Sequence, residues 1–226
     1  MSMNLLRYAT CCLILLLLGT TVAHAQSKPT GPERWKKAIE NFEAADKNSP
    51  PPQGGVVFVG SSTFTLWKTM GEDFPGVKVI NRGFGGSQLA DSIYYADRII
   101  LPYKPRMVVV YAGDNDIAAG KSPERVLADF KALVEKIHAE LPEARVGFVS
   151  IKPSKSRWKL IDKVRAANAL VKDYTETDDR LTYIDTFSIT LGADGTPRDD
   201  LFIQDKLHLS RKGYELWQEV IAPAIQ

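Results

Sequence analysis

Two short stretches near opposite ends of the chain carry the residue types of a hydrolase that uses a serine nucleophile. Asp205 and His208 are three residues apart, just before the last helical pattern, and His208 is one of three histidines in the chain. A serine becomes a nucleophile when an imidazole takes its proton and a carboxylate orients that imidazole. Far upstream, Ser61 and Ser62 follow the apolar run at 56–59. These residues predict acyl transfer at a serine, provided that the fold brings the two ends together.

Two further polar blocks follow other apolar runs. Gly83, Gly85 and Gly86 come after the second run, and Asn115 follows Gly113 behind the third. Backbone N–H groups and side-chain amides can donate to the oxyanion that forms when a serine attacks an ester. Each block also has a structural interpretation, because glycine suits turns with positive φ and asparagine can bond its own loop. A serine after a strand can likewise be a helix cap, and a histidine between leucines can be a packing residue.

The elements that must position these blocks alternate between strand and helix. Five short runs rich in valine and isoleucine are apolar rather than alternating, which is typical of parallel strands covered on both faces. They predict strands at 56–59, 77–80, 107–111, 146–151 and 181–184, with helical periods around 35–42, 126–141, 160–174 and 214–221. This alternation predicts a doubly wound, three-layer α/β/α fold with about five parallel strands, of the flavodoxin type. The carboxyl ends of such strands meet at one edge, so we expect the blocks to converge there.

The four blocks, in this order, resemble those of the SGNH hydrolases, also called GDSL-type esterases and lipases, and most closely their acetylhydrolase-like branch. The resemblance covers nearly the whole chain after its first 25 residues. It implies that Ser62 is the nucleophile, that His208 is the general base and that Asp205 orients the base. It also implies an oxyanion hole formed by the backbone N–H groups of Ser62 and Gly86 and by the side-chain amide of Asn115.

One position departs from the family pattern. The first block usually reads Gly-Asp-Ser, and here Ser61 replaces that aspartate. The change leaves the triad intact, but it raises the question of what holds the nucleophile turn and makes Ser61 a nominal rival nucleophile. Phe84, Arg82 and Lys206 lie beside the blocks and are candidate pocket neighbours, each with packing or solvation as the alternative.

The first 25 residues predict a signal peptide. A weakly basic start is followed by the apolar run at 11–18, and small residues precede a cleavage point after Ala25. The run is too short for a membrane anchor, and the cysteines stand before it rather than at a lipoprotein cleavage site. We therefore expect an exported, periplasmic or extracellular protein without a stable membrane anchor, and one hydrolase domain over residues 26–226. Both cysteines, Cys11 and Cys12, would leave with the signal.

The charge balance and the small number of histidines limit the possible partners and cofactors. Among 29 basic residues only Arg7 lies in the signal, so 28 basic and 27 acidic residues would remain. The sequence contains no block of basic residues, so neither nucleic acid nor an anionic membrane is predicted as a partner. Asp114, Asp116 and Asp205 faintly suggest a metal site, but such sites need more histidines, so we expect no metal or other cofactor. His138 lies beside an apolar helical stripe and is expected to be a packing residue.

The sequence thus predicts an exported serine esterase that acts on small-molecule or carbohydrate esters. Short acyl groups are favoured, with acetylated carbohydrate as one substrate, because of the resemblance and because no segment looks like a lipid-binding lid. Hydrolysis of lysophospholipids or thioesters is the enzymatic alternative. A noncatalytic carbohydrate- or lipid-binding module on the same fold is the alternative from another class.

Overall fold

The computed structural model describes residues 31–226, and its five parallel strands form one sheet in the order β2-β1-β3-β4-β5. This order and the all-parallel pairing confirm the predicted flavodoxin-type sheet. The strands are β1 (Val56–Gly60), β2 (Val79–Gly83), β3 (Met107–Tyr111), β4 (Arg145–Val149) and β5 (Leu181–Ile184).

Hydropathy misplaced the boundaries of three strands, the smallest difference being β1, which ends one residue later than predicted, at Gly60. β2 begins two residues and ends three residues later than predicted, because Asn81 and Arg82 pair with β1 in register despite their polarity. β2 is an edge strand, and Arg82 satisfies its charge with Asp46 and the Tyr103 hydroxyl. β4 begins one residue earlier and ends two residues earlier than predicted.

Helices flank the sheet on both faces and confirm the three-layer α/β/α class. The described α-helices are α1 (Lys36–Asn48), α2 (Ser62–Leu66), α3 (Met70–Asp73), α4 (Leu89–Ile99), α5 (Asp114–Ala118), α6 (Pro123–Glu140), α7 (Ile161–Thr175), α8 (Phe187–Thr190) and α9 (Arg211–Ile225). Short 3₁₀ helices cover Gly31–Trp35, Leu101–Tyr103, Lys155–Leu160 and Asp199–Leu201. As predicted, α9 begins behind Ser210, whose hydroxyl accepts from the Gly213 N–H.

The core consists of two apolar clusters, one on each face of the sheet. Alternate residues of β1 point to opposite clusters: Val57 and Val59 pack with α1, α4, α6 and α7, whereas Val56 and Phe58 pack with α2, α3 and α9. This alternation follows from the two-residue side-chain period of a strand. Because both faces are covered, the central strands β1 and β3 are buried along their whole length, as the sequence pattern indicated.

The predicted signal peptide at 1–25 lies outside the described residues, as do both cysteines. The assignment of residues 26–226 to one domain stays a prediction. Within residues 31–226, no helix combines the length and the apolar character that crossing a membrane requires.

Candidate active site

The turn after β1 places Ser62 at the edge of the sheet. Gly60 has φ +142°, and a Cβ added there would lie 1.9 Å from the Tyr111 carbonyl oxygen, so this position excludes any side chain. The Ser61 N–H then donates to the same carbonyl at 3.1 Å. The Ser61 carbonyl accepts from Phe64 and Thr65, which starts α2 with Ser62 as its first residue.

Backbone contacts hold this turn although Ser61 replaces the usual aspartate. The Gly60 carbonyl accepts both the Phe84 N–H at 2.8 Å and the Ser87 hydroxyl at 3.0 Å. These bonds fasten the serine turn to the glycine-rich block after β2. Ser61 itself is 2 % exposed, whereas the Ser62 hydroxyl meets His208.

The structure brings Ser62, His208 and Asp205 into one hydrogen-bonded chain, although 146 positions separate Ser62 from His208. The His208 Nε2 atom lies 2.9 Å from the Ser62 Oγ atom, and His208 Nδ1 lies 2.6 Å from the Asp205 Oδ2 atom. An ionised carboxylate can only accept, so we assign the ring proton to Nδ1 and leave Nε2 free to accept from the serine. This arrangement can activate a serine hydroxyl.

A tight turn orients Asp205 and His208 toward each other. Lys206 adopts a left-handed conformation with φ +55°, and the backbone N–H groups of Leu207 and His208 both donate to Asp205 Oδ1 at 2.9 Å. Partial burial acts to raise the pKa of Asp205, but these bonds and that from the imidazole outweigh it and lower the pKa to about 2. The carboxylate therefore stays ionised throughout the neutral and mildly acidic range.

Two contacts between α9 and the segment after Ser62 fix the two ends of the site relative to each other. The buried Tyr214 hydroxyl donates to the Thr63 carbonyl at 2.8 Å. The Arg211 guanidinium binds both Asp73 oxygens at 2.6 Å, and this contact, aided by Trp67, lowers the pKa of Asp73 to about 2 against the effect of burial. Because α9 begins three residues after His208, both contacts limit movement of the imidazole away from the serine.

The backbone N–H groups of Ser62 and Gly86 are two of the candidate oxyanion donors. Among the described residues, neither group has a hydrogen-bond acceptor. The segments that carry them are in contact, since a Cβ built on Gly85, next to Gly86, would lie 3.8 Å from the Ser62 Cβ. Gly86 has φ +80°, and a Cβ there would approach Cη2 of Trp35 to 3.1 Å. The Trp35 ring therefore covers Gly86.

Asn115 is held next to these groups by contacts with other loops. Its side-chain Nδ2 donates to the Ser87 carbonyl at 3.0 Å, which leaves its second N–H for another acceptor. Buried Asp116 accepts from the N–H groups of Gly113 and Leu89, and so joins the block after β3 to the start of α4. The structural interpretation required the Asn115 side chain to bond its own loop. Its amide instead bonds Ser87, in the block after β2.

The other candidate neighbours make packing or ion-pair contacts. Arg82 pairs with Asp46, and Phe84 is buried against Trp35 and Tyr95. Lys206, which lies in the turn that carries His208, pairs with Asp199. Three further residues at this edge were not predicted from the sequence, namely Trp35, Lys152 and Arg157. Lys152 follows β4 closely, and its position after a strand end was the signal that could have identified it, whereas no local pattern marks Arg157.

The carboxylates considered for a metal each face a cation or the imidazole. Asp116 pairs with Lys121, and Asp114 pairs with Lys152 and Arg157. Across residues 31–226, no three histidine, cysteine, aspartate or glutamate side chains are grouped so that they could hold a metal ion. The His138 Nε2 atom lies 2.9 Å from the Ala144 carbonyl, just before β4 begins and so at the opposite edge of the sheet.

Comparison with known proteins gives consistent relatives. The sequence model of the GDSL-like lipase/acylhydrolase family matches residues 59–216. The human platelet-activating factor acetylhydrolase IB subunit alpha1 is 30% identical over 203 residues, which are 83% of this chain and 84% of that protein. A GDSL-like lipase from Bacteroides thetaiotaomicron superposes with a TM-score of 0.72 at 18% identity, covering 83% of this chain and 96% of that one. An acetylxylan esterase from Geobacillus stearothermophilus gives a TM-score of 0.64 at 14% identity, covering 77% and 95%. The two structural likenesses show a shared fold.

Proposed function

Because this chain belongs to the GDSL-like lipase/acylhydrolase family and is a hydrolase of the esterase/lipase type, we propose that Ser62, His208 and Asp205 form its catalytic triad. The observation that carries the proposal is the contact of 2.9 Å between His208 Nε2 and Ser62 Oγ, with Nδ1 of the same ring on Asp205. A noncatalytic binding module would have no need for this aligned set of groups.

The reaction proceeds through an acyl-enzyme. Ser62 Oγ attacks the ester carbonyl carbon while its proton moves to His208 Nε2, and Asp205 stabilises the imidazolium. The tetrahedral oxyanion accepts from the N–H groups of Ser62 and Gly86 and from the Asn115 amide. The bond to the alcohol oxygen then breaks, and His208 donates its proton to that oxygen. Water repeats the sequence on the acyl-enzyme, releases the acid and returns the proton to Ser62.

The preferred acyl group is short, and acetylated carbohydrate is our candidate substrate class. The Trp35 ring supports a short acyl group because it covers Gly86, beside the position of the reacting carbonyl. The names of two relatives point the same way, since one is an acetylhydrolase and the other is an acetylxylan esterase.

Activity on p-nitrophenyl esters of increasing chain length tests this function. We expect kcat/KM to fall by about tenfold or more from acetate to decanoate, which corresponds to about 1.4 kcal/mol of lost transition-state binding. Replacing Trp35→Ala is expected to raise the decanoate rate relative to acetate, because the space over Gly86 opens. Tyr94→Ala, which removes an exposed aromatic ring from α4, serves as the control and should leave the ratio unchanged.

A rate that rises with chain length in the wild-type enzyme would contradict the short-acyl proposal and favour the lysophospholipase or thioesterase alternative. Hydrolysis of acetylated xylo-oligosaccharides, followed as released acetate, tests the carbohydrate part separately. No release from sugars, together with rapid hydrolysis of p-nitrophenyl acetate, would exclude the carbohydrate and retain the esterase.

We also propose that the protein is exported and acts without a stable membrane anchor. The support is the sequence of residues 1–25, with its apolar run and the small residues before the cleavage point. N-terminal sequencing of the protein from the periplasm or medium should begin at Gln26. Recovery of the full-length chain from the cytoplasm alone would contradict export.

A further inference from the structure

A charged network stands behind Asn115 and has no part in the triad. Arg157 lies in the 3₁₀ helix Lys155–Leu160, which follows β4 at the carboxyl edge of the sheet. Its Nη2 donates to the Asn115 side-chain oxygen at 3.0 Å. Since Asn115 Nδ2 is held by the Ser87 carbonyl, both ends of this amide are fixed.

Asp114 connects Arg157 to a second cation. One carboxylate oxygen forms an ion pair with Arg157 Nη1 at 2.6 Å, and the other lies 3.4 Å from the Lys152 Nζ atom. Lys152 also donates to the Tyr111 hydroxyl at 2.9 Å. Lys152 is 2 % exposed and Asp114 is 8 % exposed, so water screens this network only weakly.

The network carries more positive than negative charge. Burial raises the pKa of Tyr111, so its phenol is neutral. Burial acts to lower the pKa of Lys152, but contacts with Tyr111 and Asp114 raise it above its ordinary value, so the ammonium stays charged. Two cations thus share one carboxylate. Burying an uncompensated charge costs stability, and packing alone gives no reason to retain it.

We propose that Arg157 is a positioning residue for the oxyanion donor Asn115, and that the surplus positive charge of Lys152, Asp114 and Arg157 strengthens that donor. The proposal rests on the function proposed above. A guanidinium bonded to the amide oxygen draws electron density from the nitrogen, which makes its free N–H a stronger donor. It also fixes the plane of the amide, so that no reorientation is needed when the oxyanion forms.

Replacing Arg157→Ala is expected to lower kcat on p-nitrophenyl acetate by about 10–100-fold with little change in KM, because the bond acts mainly in the transition state. Millimolar guanidinium chloride should restore part of the lost rate. Lys159→Ala removes a positive charge from the exposed face of the same 3₁₀ helix and should match the wild type. A rise in KM alone would show that Arg157 binds substrate and would overturn the positioning role.

A double-mutant cycle tests whether Arg157 acts through Asn115. In an Asn115→Ala background, Arg157→Ala should have almost no further effect on kcat, and guanidinium should restore nothing. Losses that multiply across the two positions would overturn the proposal. Thermal melting of each variant distinguishes a loss of catalysis from a loss of folding. A purely structural role predicts that Tm falls in proportion to the loss of activity.

NMR of the Asn115 side chain tests the role of Arg157 without relying on enzyme activity. The side-chain amide resonances of Asn115, identified by their loss in Asn115→Ala, should shift upfield in Arg157→Ala because the polarising guanidinium is gone. Unchanged amide resonances would overturn the proposal even if the enzyme is an active esterase. A wild-type protein without esterase activity would instead overturn the proposed function, while the resonances still decide whether Arg157 polarises Asn115.

Discussion

Replacing Ser62→Ala is expected to lower kcat for ester hydrolysis by about 10⁵–10⁶-fold, because the acyl-enzyme then cannot form. The residual rate would come from the oxyanion donors and substrate binding alone. The fold should persist, since Ser62 contributes its hydroxyl to the imidazole and its backbone to the start of α2. Steady-state kinetics on p-nitrophenyl acetate, with circular dichroism as a check of folding, measure this effect.

Ser61→Ala is the matched control for the nucleophile. Ser61 holds the turn through its backbone N–H and carbonyl groups, which alanine retains, so the variant should keep most of its activity. The reverse pattern, an active Ser62→Ala and an inactive Ser61→Ala, would assign the nucleophile to Ser61 and contradict the proposed triad.

Replacing His208→Ala is expected to cause a loss of similar size, about 10⁵–10⁶-fold in kcat, because the serine then has no base. His138→Ala is the control, since His138 lies at the opposite edge of the sheet and bonds the Ala144 carbonyl. Asp205 should cause no loss of activity in the neutral and mildly acidic range, because the pKa of its carboxyl is lowered to about 2.

A His208→Ala variant that keeps wild-type kcat at neutral pH would contradict this role of His208.

Much of the fold follows from local sequence patterns. The short apolar runs predicted five parallel strands because strands buried on both faces need no polar residues, and the bounds of β3 and β5 were right. The same reasoning ended β2 too early, because Asn81 and Arg82 are polar. Hydropathy cannot show that Arg82, on an edge strand, pairs with Asp46 of α1 and with the Tyr103 hydroxyl.

The candidate site was predictable where strand ends and residue types coincide. The blocks around Ser62, Gly86 and Asn115 follow β1, β2 and β3, so the topology alone brings them to one edge. Asp205 and His208 required the additional pattern of a carboxylate three residues before an imidazole.

The residues that support the site were less predictable. Trp35 precedes α1 and reaches Gly86 only through tertiary packing, which periodicity does not encode. Arg211 and Asp73 are 138 positions apart, so nothing local links them. Arg157 is an ordinary surface residue in sequence terms, and its contact with Asn115 depends on the path of the chain after β4.

We propose that Ser62 becomes covalently acylated with His208 as its base, and reaction with a fluorophosphonate is the sharpest test of this. The probe requires an activated serine, so it should label the wild-type protein and Ser61→Ala but neither Ser62→Ala nor His208→Ala. Mass spectrometry of the digested wild-type protein should place the adduct on Ser62. An adduct on Ser61, or no labelling of a folded wild-type protein, would contradict the claim.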